Sequence, residues 1–240
     1  MPKAMLILLI CMLRVDPSQA QNPPASAPDP FSGQAAFGYL ATSGNTDSTN
    51  VNAALGVLLI RGNWDHEFDF SAVSAASAEV TTAEAYSARY ESRSALSERS
   101  YIFTSLDWRE NRFSAFDRQL SESIGYGRRV IDRERHVFNA EVGSGARQAK
   151  LLDGSEENEA ILRLATDYTL TFSEMTGFTH DLIIESGLSN TSVESIAALR
   201  ARLFGNIALV FSYRIKRNSE VPPGIQDTDT FTSVALEYAF

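Results

Sequence analysis

The chain alternates. In its last stretch, SVALEYAF, Val234, Leu236, Tyr238 and Phe240 fall on one face of an extended strand, and Ser233, Ala235, Glu237 and Ala239 fall on the other. The same period of two recurs upstream. Arg89, Glu91 and Arg93 oppose Tyr86, Ala88 and Tyr90, while Asp107 and Arg109 oppose Ile102, Leu106 and Trp108. Arg163 and Asp167 oppose Leu162, Leu164, Tyr168 and Leu170, and Arg214 and Lys216 oppose Leu209, Phe211, Tyr213 and Ile215. Asp65, Glu67 and Asp69 oppose Trp64, Phe68 and Phe70. No convincing amphipathic helix interrupts the pattern.

Twelve such segments follow one another, roughly at 34–43, 48–60, 64–73, 83–96, 100–111, 117–130, 135–148, 159–171, 175–186, 195–204, 206–217 and 230–240. The breaks between them fall into two classes. RGN, SER, IDRE, FSE and FG are tight, whereas GNTD, SAEVTT, RFSAF, AKLLDGSEEN, SNTSVE and NSEVPPGIQDTD are longer or more polar. The two classes take turns along the chain, as the short periplasmic turns and longer external loops of an outer-membrane barrel do.

Alternation alone leaves inside and outside undecided. A soluble barrel of lipocalin type turns its apolar face in; a membrane barrel turns it out. Strands of this length, tilted, match a bilayer. Twelve apolar faces enclose more volume than side chains of one such core can fill, and the terminal strand ends flush on Phe240. The expectation is an all-β, transmembrane, antiparallel up-and-down barrel of about twelve strands in the outer membrane. Two residues resist it. Glu122 shares a face with Leu120, Ile124 and Tyr126, which asks for a place near an interface or a bulge that shifts register. His180 shares the face of Phe178 and Leu182.

The first residues have another job. Lys3, an apolar run from Ala4 to Leu13, and the small residues Ser18 and Ala20 read as a signal peptide over 1–20, cleaved after Ala20. Residues 21–33, rich in proline, read as a flexible lead-in, and 34–240 as the barrel. The single cysteine, Cys11, leaves with the signal segment, which excludes disulfides and thiolate metal sites. The net charge of −9 argues against nucleic acid, which favours basic faces. No cofactor is implied. The acidic stretch DGSEEN lacks the spacing of a calcium loop.

With the apolar face outward, the other face lines the lumen. The candidate lining residues are Glu67, Asp69, Arg89, Glu91, Arg93, Asp107, Arg109, Glu141, Arg147, Arg163, Asp167, Arg214, Lys216 and Glu237, joined by Asp181, Glu185, Arg200 and Arg202. Opposite charges on neighbouring strands are placed to pair. Two readings stay open: a narrow pore for small ions or solutes, and a closed, salt-bridged barrel supporting the envelope. A membrane-embedded hydrolase acting on lipid and a soluble ligand-binding barrel are the alternatives. Against the hydrolase, His66, His136 and His180 stand in HEF, HVF and HDL, with no serine at the close spacing such enzymes use. The protein is expected not to be an enzyme.

The C-terminal pattern also resembles the signal that the barrel assembly machinery reads on the last strand of outer-membrane barrels. Ser233 stands at its polar position, Ala235 where glycine is usual, and Tyr238 and Phe240 at its two hydrophobic positions. Along nearly its whole length the chain resembles the salt-induced outer-membrane proteins, a Gram-negative family of unknown function. GYLATSGNTDSTNVNAALG, RGNWDHEF, DWRENRFSAFDR, IGYGRRVIDRERHVFNAEVGSGAR and NSEVPPGIQDTDTFTSVALEYAF carry the likeness. It implies a porin-like barrel inserted by the assembly machinery, with outer-membrane lipid and lipopolysaccharide as surroundings, and it assigns no catalytic residue.

Overall fold

The computed structural model describes residues 30–42, 48–77, 80–112, 116–151, 153–221, 224 and 226–240. Among them twelve strands run in order: β1 Phe31–Thr42, β2 Ser48–Arg61, β3 Trp64–Ser77, β4 Val80–Ala95, β5 Ser100–Asn111, β6 Phe116–Arg133, β7 His136–Leu151, β8 Glu156–Ser173, β9 Thr176–Ser186, β10 Thr191–Phe204, β11 Ile207–Asn218 and β12 Thr228–Ala239. Each pairs antiparallel with its chain neighbours, and β1 pairs with β12 to close the ring. Closure leaves no fully open edge strand, and the seam itself is short, pairing Gln34–Phe37 with Leu236–Ala239.

The seam corrects one boundary. β1 begins at Phe31, inside the segment read as lead-in. Gly33 and Phe240 exchange both backbone hydrogen bonds at 2.8 Å, and the Phe31 ring lies 6.3 Å from that of Phe240. The ladder and the ring contact make these residues strand. The signal segment, with Ala20, and most of the lead-in lie outside the described residues. So does the core of TSGNTD.

Strands run further than alternation suggested. β3 runs on to Ser77 and β4 starts at Val80, so most of the SAEVTT break read as a loop is strand. β10 starts at Thr191, and the SNTSVE break shrinks to 187–190. Conversely the SER turn is the four-residue Leu96–Arg99 link. The asymmetry survives. Gly62–Asn63, Glu134–Arg135, Glu174–Met175 and Gly205–Asn206 make two-residue turns at the end where the strands of the seam meet, and the long β11–β12 loop stands at the other. Gly62 and Gly205 sit at φ 64° and 52°, the left-handed region that tight hairpins need.

The outer wall is apolar all round. Phe37, Leu59, Phe68, Tyr90, Leu106, Ile124, Val142, Leu164, Leu199, Phe211 and Leu236, one from each strand but β9, are each more than a third exposed, and β9 adds the half-buried Phe178, Leu182 and Ile184. No water-soluble monomer exposes so continuous an apolar belt; a bilayer covers one. Aromatic rows bound it, with Trp64, His66 and Tyr90 near the short turns and Trp108 toward the loops.

Of the two expectations for Glu122, the bulge fails. The register of β6 shifts at Phe116/Arg118 and at Arg129/Ile131, but not between. Glu122 therefore stays on the outer wall, exposed, level with Leu106 and Ala146. Its row lies next to that of Trp108 and Leu120 and two steps from the charged row of Glu110, Arg118 and Lys150, on the loop side of the belt. His180 also faces outward, between Tyr168 and Ala197.

Candidate functional site in the lumen

The inward positions carry the charge. Asp69, Arg89, Glu91, Asp107, Glu141, Arg147, Arg163, Arg214 and Glu237 are buried inside the barrel; Glu67, Arg93, Arg109, Asp167 and Lys216 share their faces at intermediate exposure. Asp181 and Glu185 are buried, and Arg200 is half-buried with its Nε 2.7 Å from Glu237. Arg202 is exposed at the turn end of β10.

Their pairing is in two main groups. In the first, Arg89 and Arg109 both hold Asp107, at 2.7 Å and 2.6 Å. Arg109 also reaches Glu194 at 2.9 Å, and Arg214 pairs with the same carboxylate. β4 and β10 stand on opposite sides of the ring, yet Arg89 comes within 4.0 Å of Glu194. In the second group, Arg163 binds Glu141 at 2.6 Å and Glu91 at 3.3 Å. Arg93 binds Glu91 at 2.7 Å and Glu141 at 3.3 Å, and Tyr101 donates its hydroxyl to Glu141 at 3.0 Å. Glu67 faces Glu91, and Asp167 faces Asp181, directly across the ladder. Such like pairs repel; Arg93, 3.8 Å from Asp167 and close to Glu91, offsets part of it.

These pairs reach across the barrel and bridge its lumen. Glu91, Arg163, Glu194 and Arg147 are 2–3% exposed. Arg93 and Asp167 beside them keep about a fifth of their side-chain surface open. Two rings complete the packing. The Arg163 guanidinium lies 4.8 Å over Phe103, and Arg93 lies 5.5 Å over Tyr101. Phe103 lies flat against Gly125 and Gly143, where an added Cβ would stand 2.7 Å and 2.9 Å from the ring. Tyr101 covers Gly127 in the same way. Higher up, Arg147 holds Glu159 and the carbonyl of Asn190, and Ser189 N donates to Glu159 at 2.8 Å, which ties the β9–β10 link to the wall. Val221, in the β11–β12 loop, packs on Phe116 and Ala149 of β6 and β7, on the far side of the mouth.

Glu194 is the member that strand reading misses, because TSVE reads as a loop. Its signal was the continued alternation of Ser192, Glu194, Ile196, Ala198 and Arg200. The glycine cradle left a trace too, in the alternate glycines of GYG and GSG.

The histidines all lie on the outer wall. His66 and His136 hydrogen-bond the hydroxyls of Tyr90 and Tyr168 at 2.9 Å, and His180 Nε2 is 3.0 Å from Ser195 Oγ. The last pair has the spacing of a nucleophile and its base. It lacks the rest: no acceptor among the described residues orients Nδ1, and the neighbouring backbone N–H groups are committed to the ladder, so none is aimed at an oxyanion. Among the described residues no group of three or more His, Cys, Asp or Glu is arranged to hold a metal. In the acidic β7–β8 loop, Ser155 donates its N–H and hydroxyl to Asp153 Oδ1 at 2.9 Å and 2.6 Å, and these bonds lower the carboxyl's pKa.

A closed twelve-strand ring with charge inside and an apolar belt outside is an outer-membrane β-barrel. The chain belongs to the family described as "Protein of unknown function, DUF481", whose model matches residues 35–240. It is 28% identical over 217 residues to the uncharacterized protein YdiY of Escherichia coli (strain K12), covering 90% of this chain and 86% of that one. Among solved structures, an outer membrane channel from Pseudomonas putida F1 aligns with a TM-score of 0.49 at 10% identity, over 95% of this chain and 100% of that one. The NanC porin aligns with a TM-score of 0.47 at 10% identity, over 87% of this chain and 97% of that one. The KdgM porin gives 0.44 at 9% identity, over 88% and 99%.

Proposed function

We propose that this barrel is a narrow outer-membrane pore for small ions and polar solutes, shut at rest by the ion pairs that cross its lumen. The observation that carries the reading is Glu194, which gathers Arg109 and Arg214 from different walls with Arg89 close by. A barrel needing only to be solid gains more from an apolar filling, since buried ion pairs seldom out-stabilise packed hydrophobic side chains. A lumen of charges is a route that rearranged side chains can open. Val221, packed across the mouth on Phe116 and Ala149, is a second closure. We place the short turns in the periplasm, take Ser233, Ala235, Tyr238 and Phe240 as the address read by the assembly machinery, and take lipopolysaccharide as the outer surroundings. We infer a non-enzymatic role, in keeping with the pore reading. A link to salt stress rests on the family resemblance alone.

Single-channel recording in a planar bilayer tests this, with folding confirmed by heat-dependent gel mobility. Wild type is expected to give rare, small steps, and Glu194→Ala frequent ones. Arg93→Glu should shift ion selectivity toward cations. Silence from folded wild type and folded Glu194→Ala alike would replace the pore by the closed structural barrel.

A further inference from the structure

β6 and β7 outrun their neighbour. The β5–β6 ladder ends at Ser100 opposite Arg128, and Arg129 N donates to Arg99 O at 2.8 Å. The β6–β7 hairpin continues to Arg133 opposite His136. A bulge between Arg129 and Ile131 bends it, leaving the adjacent Val130 and Ile131 51% and 36% exposed. Between this bent hairpin and the β4–β5 turn lies an open cleft of about 370 Å³, lined by Arg99, Val130, Ile131, Asp132, Arg133 and His136.

The lining is divided. Arg99, Arg133 and His136 bring nitrogen donors; Val130 and Ile131 bring an apolar lip. The one carboxylate, Asp132, lies 3.5 Å from Arg129, which answers its charge. His136 uses Nδ1 on the Tyr168 hydroxyl, leaving Nε2 for another partner. Tyr168 and Phe138 pack edge to face beside it, with ring centroids 6.3 Å apart. Aromatic rings at a barrel rim mark the level of lipid headgroups. A patch with two arginines at that level is notable in a chain of net charge −9.

We propose that this cleft holds the phosphodiester of a phospholipid of the adjacent leaflet. The Arg99 and Arg133 guanidiniums would donate to the phosphate oxygens with His136 beside them, and the first acyl carbons would lie along Val130 and Ile131. Guanidinium forks suit phosphate oxygens, and the apolar lip suits a ligand that is amphiphilic rather than a bare anion.

The test is native mass spectrometry of the refolded barrel in detergent, titrated with phosphatidylglycerol. Diacylglycerol of the same chains and inorganic phosphate serve as the two partial ligands. Wild type should retain phosphatidylglycerol and neither partial ligand. Arg99→Ala with Arg133→Ala should weaken retention by about tenfold or more, as the loss of two charge-assisted contacts requires. Arg118→Ala, which removes an exposed arginine at the other rim, should leave it unchanged. Heat-dependent mobility checks that each variant is folded. Unchanged retention in the double variant, equal retention of diacylglycerol, displacement by millimolar phosphate, or an equal loss in Arg118→Ala would each overturn the proposal.

Discussion

Glu194 and Glu122 are the same side chain on opposite walls. Glu194 is 2% exposed and is approached by three arginines. Glu122 is exposed on the belt, level with Leu106 and Ala146. The pleat alone separates their fates, since successive residues of a strand point to opposite faces. Inside, a carboxylate meets counter-charges from several walls and becomes part of the packing. Outside, it meets hydrocarbon, where an ionised group is costly. The barrel thus inverts the soluble rule for charge, and each position's tolerance follows from its wall.

The largest effect expected from breaking this comparison is at Glu194. Glu194→Ala leaves Arg109 and Arg214 without their shared partner and should cost about 3–5 kcal/mol. Urea titration of the refolded protein, followed by the fluorescence of Trp64 and Trp108, measures it. Next comes a charge placed on the belt: Leu164→Arg, 44% exposed on the outer wall, should cost about 2–4 kcal/mol in vesicles. If Leu164→Arg were neutral while Glu194→Ala was costly, the belt would not face lipid. Third is the cradle. Gly125→Val pushes a side chain into Phe103 and the β7 backbone, with an expected loss of about 1–3 kcal/mol; Gly177→Val, whose added Cβ meets only the Leu170 carbonyl at 3.6 Å, serves as the comparison in the same assay. The smallest effect has the opposite sign. Glu122→Leu should stabilise the barrel by less than about 2 kcal/mol, because a carboxylate costs less than an arginine at that depth. A loss of stability in Glu122→Leu would show that the carboxylate has a partner in the membrane.

Most of the wall was legible because alternation is local. Each strand's own residues announce which of its faces is apolar, and the twelve segments found by alternation correspond to the twelve strands. The errors were at ends. Phe31 to Gly33 belong to β1 because Leu59, Leu58 and Val57 of β2 pair with them and Gly33 is tied to Phe240 at the other end of the chain. Glu194 was hidden because a polar strand end, TSVE, reads like a loop until the next strand is laid beside it.

The sequence by itself determined the period, the apolar belt, the direction of most lumen charges and the family. Those follow from the pleat and from the cost of putting the wrong side chain in lipid or lumen. Only the tertiary structure decided that ion pairs bridge the lumen. Whether Arg89 meets Glu194 depends on the diameter and stagger of the closed ring, quantities no single strand encodes. The same holds for the bulge at Val130 and for Val221 resting across the mouth. Alternation sorts residues into inside and outside; ring closure decides which of the insiders touch.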